Sequence, residues 1–75
     1  MVTLQEIQEK LKSAIRQSGL TQKAIGEKIG VKQSCIAHYI KGDRTPTLDT
    51  FANLCVILEL DANDILGINK ANFDK

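Results

Sequence analysis

Between Gln22 and Lys41 two helix-length segments follow one another with almost no chain between them. Ala24, Ile25 and Ile29 form the apolar stripe of the first, about 22–29, and Gly30 ends it. The second runs from about 32 to 41, and Gly42 ends that one. Two helices joined so tightly cannot lie antiparallel and must cross steeply. A steep crossing needs a small residue where the axes approach, which Gly26 supplies, and the turn needs a left-handed residue, which Gly30 supplies. Ile25, Ile29, Val31, Ile36 and Tyr39 are placed to lock the angle.

The flanking segments complete an all-α pattern. Thr3 and Glu6 have capping-box spacing, with Thr3 serving a free amide and Glu6 reaching back. Leu4, Ile7, Leu11, Ala14, Ile15 and Ser18 then recur at helical spacing over about 4–18, and Gly19 stops the run. Thr21 caps the helix at 22. Pro46 makes Asp43–Pro46 a loop, because it lacks a donor and pushes Thr45 out of helix. Thr47 caps a helix over about 48–58 whose Leu48, Phe51, Ala52, Leu54, Cys55 and Leu58 face inward. Asp61 caps a last short helix over about 62–66 that buries Ile65 and Leu66 before Gly67. There is no strand pattern and no repeat. The expected fold is a compact bundle of five short helices, with a domain at 1–67 and a C-terminal tail at 68–75.

Size and composition narrow the function. A 75-residue chain makes one domain with a thin core, too small to frame a deep active-site pocket comfortably. Tyr39, Phe51 and Phe73 are its only aromatics, too few for a platform that stacks single-stranded bases. No apolar run is long enough to span a membrane, and the N-terminus lacks the pattern of a signal peptide, so a cytoplasmic location is expected. Cys35 and Cys55 fall in helical patterns and read as reduced core thiols. Cys35 and His38 are spaced like half a zinc site, but only Cys55 remains as a further thiol, so no metal is expected. No catalytic arrangement can be assembled around one histidine. The glycines are helix stops and not a phosphate loop, since no strand precedes them. Neither an enzyme nor a cofactor is implied, and no small-molecule ligand is evident.

The net charge of +1 is unevenly spread. Residues 10–44 carry eight bases against two acids, whereas 1–9 and 45–75 are net acidic. A basic middle between acidic ends can build one positive face that a phosphate backbone attracts. At about 100° per residue, Gln33, Ser34, Ala37, His38 and Lys41 share one arc of the third helix, with Cys35, Ile36 and Tyr39 opposite. An amide, a hydroxyl, an imidazole and a cation suit base edges: Gln can bond adenine in bidentate fashion, and Lys or His can donate to guanine.

Gly19-Leu-Thr-Gln22, Ile25-Gly-Glu-Lys-Ile-Gly-Val31, Gln33-Ser-Cys-Ile36 and Gly42-Asp-Arg-Thr-Pro-Thr-Leu48 together resemble the Cro/C1-type helix-turn-helix family of phage and bacterial repressors, over roughly residues 7–66. The resemblance implies the lambda repressor-like five-helix fold and binding of double-stranded DNA, usually as a dimer on a two-fold site. Carried over by position, Gln33, Ser34, Ala37 and His38 fall among the base readers of the third helix. Gln22 matches a residue that caps onto a phosphate. Lys32 lies near the groove edge, and Lys41, Arg44 and Thr45 match backbone contacts. Val56, Ile57, Ile68 and Phe73 are apolar residues left over once the core is assigned. They either lie partly buried under the tail or form a dimer surface, and the place of the fifth helix and tail in the family favours a weak homodimer.

Three departures from the family stand out. Lys32 replaces a capping Ser or Thr, and Gly26 replaces the more usual Ala. Ile15 and Ile40 stand where some members pair an Arg with a Glu; two aliphatic side chains there are expected to touch and extend the core. The resemblance thus points to a transcriptional regulator, a repressor by family habit. The alternative is a protein-interaction module that kept this fold and lost its DNA face. Gln22, Gln33, Lys41 and Arg44 occurring together argue against it.

Overall fold

A computed structural model describes residues 1–68 as five helices: α1 (Leu4–Gln17), α2 (Gln22–Ile29), α3 (Gln33–Lys41), α4 (Leu48–Ile57) and α5 (Ala62–Leu66). Each expected helix is present, with ends shifted by at most a residue. No helix of the described residues is long and apolar enough to cross a membrane.

The helix starts follow side-chain chemistry closely. Thr3 accepts from the Glu6 amide at 3.2 Å, Thr21 from the Ala24 amide at 3.0 Å, and Asp61 from the Asn63 amide at 3.0 Å. Each contact satisfies a first-turn donor that has no partner inside its helix. Two expectations need correction. The Glu6 carboxylate accepts from the Thr3 hydroxyl at 3.3 Å, so the reciprocal half of the box closes on a side chain. Thr47 stands at the N-cap of α4, but its hydroxyl turns to Asp49 at 2.5 Å and Thr50 at 3.0 Å, and its side chain caps no amide. That hydroxyl, first among the causes, holds the Asp49 carboxyl below its usual range.

The core consists of Leu11 and Ile15 from α1, Ile25 from α2, Ile36 and Tyr39 from α3, Phe51, Leu54 and Cys55 from α4, and Ile65 from α5. Ile25, Ile36 and Leu54 are fully buried and form its centre. Burying side chains of this size contributes about 1.5–3 kcal/mol each, which is how short helices of marginal intrinsic stability are held together. Cys35 and Cys55 are free thiols, half-buried and buried, and burial pushes the Cys55 thiol up. α3 packs on both α2 and α1, while α4 supports α2 and α5 supports α1. α3 is therefore gripped from two sides.

The inward stripe of α4 is Phe51, Leu54, Cys55 and half-buried Leu58, at intervals of three, one and three residues. Ala52 does not belong to it. It sits one position off the stripe and shares the exposed face with Val56, four residues on. Leu48 is also not inward, at 86 % exposed. It is the first residue of α4, and a helical side chain covers the turn before its own Cα, where at Leu48 there is no helix. Exposed Leu4 and Leu48 instead border an apolar cleft of about 180 Å³ floored by Leu11, Phe51 and Leu66.

The turn between α2 and α3 shows what Gly26 is for. The Val31 amide donates to the Gly26 carbonyl at 2.9 Å, folding the turn back across α2. A Cβ on residue 26 would lie 2.6 Å from the Val31 carbonyl oxygen and 3.4 Å from the Gln33 nitrogen. The space is needed by the turn backbone rather than by a side chain of α3. In this packing the family's usual Ala fits only if the turn shifts outward.

Candidate nucleic-acid interface

α3 is presented by anchoring one of its faces. Ile36 is fully buried and Tyr39 nearly so, while Cys35 and Ile40 pack partly against the core. The opposite face carries Gln33 and Ser34 exposed, Ala37 and His38 half-exposed, and Lys41 exposed. α3 contains no carboxylate, so its outer face carries no negative charge of its own to repel a phosphate backbone. Lys32 precedes it as N-cap without a side-chain cap bond, which leaves its ammonium exposed at the start of the helix.

At one end of this face, Gln22 from the start of α2 and Gln33 from the start of α3 border the same open cleft, together with Arg16, Leu20 and Thr21. The two amides that the family resemblance assigns to phosphate and base are thus brought to one place. Arg16, in the last turn of α1, was not among the sequence-derived candidates. The packing of α1 against α3 brings it there, and nothing local in the sequence marks it. Ile15 and Ile40 line the same cleft, Ile15 buried and Ile40 half-buried against the core.

At the other end, α3 stops at Gly42, whose φ of +90° turns the chain back so that its amide donates to the His38 carbonyl at 2.9 Å. An L side chain adopts that conformation only at a cost. The reversal brings Asp43 against the helix it has just left. Asp43 Oδ1 lies 2.8 Å from His38 Nδ1, and its Oδ2 lies 3.8 Å from Lys41 Nζ. The hydrogen bond to His38 is the largest of the causes that hold the Asp43 carboxyl below its usual range.

The following loop carries Arg44 and Thr45, both exposed. It is tied to α1 by Gln8, whose Nε2 donates to Thr45 Oγ1 at 3.0 Å and to the Gly42 carbonyl at 3.3 Å. Thr45 accepts in that bond and keeps its own hydroxyl proton to donate outward. Gln8 is a second residue missed from sequence: it lies 34 and 37 positions from its partners, and nothing local marks it.

Of the residues assigned to self-association, Val56 is 75 % and Ile68 53 % exposed. Ile57 is half-buried, and Phe73 lies outside the described residues.

No curated protein and no solved structure matches the chain. The family model described as helix-turn-helix matches residues 11–65, well over half of the chain, from within α1 to within α5. The chain belongs to the Cro/C1-type helix-turn-helix family of DNA-binding regulators.

Proposed function

We propose that the chain is a sequence-specific repressor that lays α3 in the major groove of duplex DNA. The observation that carries this reading is the division of α3 into a buried face, Ile36 and Tyr39, and an outward face bearing Gln33, Ser34, His38 and Lys41. Gln33 and Ser34, in the first turn, enter the groove first and read base edges, with Ala37 and His38 one turn further on. Gln22, Lys32, Lys41, Arg44 and Thr45 hold the phosphates on either side and set the register without reading sequence. Repression follows from occupancy of promoter DNA, in the cytoplasm at the nucleoid.

A two-fold site requires two copies. Val56 and Ile68 are exposed apolar side chains outside α3, and we assign a weak homodimer to them. The two α3 helices would then stand about 34 Å apart, one turn of duplex.

Selection from random duplex pools, followed by binding of the selected site at several salt concentrations, tests the reading. The native chain selects a two-fold motif and binds with a steep salt dependence. Gln33→Ala relaxes preference at one base pair by about 1–3 kcal/mol, whereas Arg44→Ala weakens all sequences alike and lowers the salt slope by about one. An unchanged motif with Gln33→Ala refutes the placement of α3. A motif without two-fold symmetry, from a chain that sediments as a strict monomer, refutes the dimer.

A further inference from the structure

The contact between His38 and Asp43 has a consequence for what the reading face recognises. His38 lies second-turn on the outward face of α3, with its side chain 38 % exposed, and Asp43 meets only one of its two ring nitrogens, Nδ1. An ionised carboxylate accepts hydrogen bonds and cannot donate them. Nδ1 must therefore carry the proton in this 2.8 Å contact. In a neutral imidazole the proton on one nitrogen leaves the other bare. When His38 is neutral, its Nε2 is then an acceptor.

We propose that Asp43 is a positioning residue that fixes His38 in its Nδ1–H form, so that His38 reads a base bearing an exocyclic amino group. The inference rests on the DNA reading above and refines it. In the major groove adenine presents the N6 amino group and cytosine the N4 amino group, whereas guanine and thymine present acceptors at the corresponding edge. A free histidine could switch tautomer and donate to guanine from Nε2 without taking up charge. With Asp43 on Nδ1 that switch costs the carboxylate its bond. The same carboxylate faces Lys41 through its other oxygen, which holds the loop residue against the end of α3 by two contacts rather than one. Gly42 makes the arrangement available, because its left-handed turn returns residue 43 to the helix end.

The chain has one histidine, so its ring nitrogens can be observed without ambiguity. Long-range nitrogen–proton NMR of the free protein at about pH 8 reports which nitrogen carries the proton. The expected spectrum shows the Nδ1–H form in the native chain and a shift toward the Nε2–H form in Asp43→Ala. A merely structural role for Asp43 would move neither signal. A native spectrum dominated by Nε2–H, or one with both nitrogens protonated, overturns the proposal before any DNA is added.

Selection from duplex pools at the same pH supplies the second readout. His38→Ala identifies the base pair that His38 contacts. At that position the native chain prefers adenine or cytosine over guanine by about fivefold, the contribution of one hydrogen bond, and Asp43→Ala brings the two within about twofold. Unchanged preference in Asp43→Ala overturns the assignment of specificity. If Gln33→Ala moves a position and His38→Ala moves none, His38 is not a reader: the proposal falls while the DNA reading stands. If the native chain selects no sequence, the reading itself has failed and takes the proposal with it.

Discussion

Replacing Gln8 by Met tests how the loop after α3 is held. Met has nearly the length and helix propensity of Gln but no donor, so the change removes the bonds to Thr45 Oγ1 and the Gly42 carbonyl and little else. Both bonds lie at the surface, where water replaces a lost partner, and each contributes at the low end of the net value of a hydrogen bond, about 0.5 kcal/mol. The sum, about 1 kcal/mol, lowers the melting midpoint of a domain this size by about 4–8 °C. Binding suffers separately. Arg44 and Thr45 sit on that loop, and if the lost tether frees one residue's backbone, DNA must order it again at a cost of about 1 kcal/mol, or about fivefold in Kd. Because loop contacts carry no sequence information, the loss is equal on the selected site and on random duplex. Melting followed by circular dichroism and anisotropy titrations on both duplexes measure the two effects. Thr45→Val in a double-mutant cycle for stability shows whether Gln8 acts through Thr45, since the two losses then fail to add. Native affinity in Gln8→Met, or an altered base preference, refutes the tether.

Two further substitutions probe the support of α3 and the end of α4. Ile40→Glu places a carboxylate on a half-buried position packed against the core and destabilises the fold by about 1–2 kcal/mol; denaturation at low and high salt measures it, and a neutral result refutes a supporting role for Ile40. Glu59 has a φ of +54° in the left-handed region just after α4, so Glu59→Gly relieves a cost of about 1–2 kcal/mol and, after the greater freedom of an unfolded glycine is set against it, stabilises by about 0.5 kcal/mol. A loss of stability in that variant contradicts the strained conformation.

Features legible in the sequence are those whose cause lies within about four residues. The caps at Thr3, Thr21 and Asp61 each serve an amide two or three positions on, and the apolar stripes of α1 and α2 repeat every three or four residues. Leu48 and Ala52 were misplaced for a related reason. Local pattern names the apolar residues of α4, but which of them are covered depends on the elements packed beside it, and Leu48 and Ala52 are left exposed. Gln8 and Arg16 were out of reach altogether, since a polar residue on a helix looks solvated until another element is laid beside it. The His38–Asp43 contact is different, because the signal for it was present. A glycine that ends a helix in the left-handed conformation sends its own amide back to the carbonyl four residues before it, as Gly42 does to His38. The residue after such a glycine is thereby delivered to the side of the last turn, and an acid there has a defined neighbour. Gly42-Asp43 following His38 and Lys41 was thus a readable juxtaposition of charge. A count of charges per segment treats Asp43 as one of two acids among eight bases and misses that its carboxylate contacts His38 and Lys41 at the end of the helix. The same logic applies wherever a recognition helix ends in Gly followed by a charged residue. The side chain just past the stop acts on the helix's last turn, and so on what that turn presents to DNA.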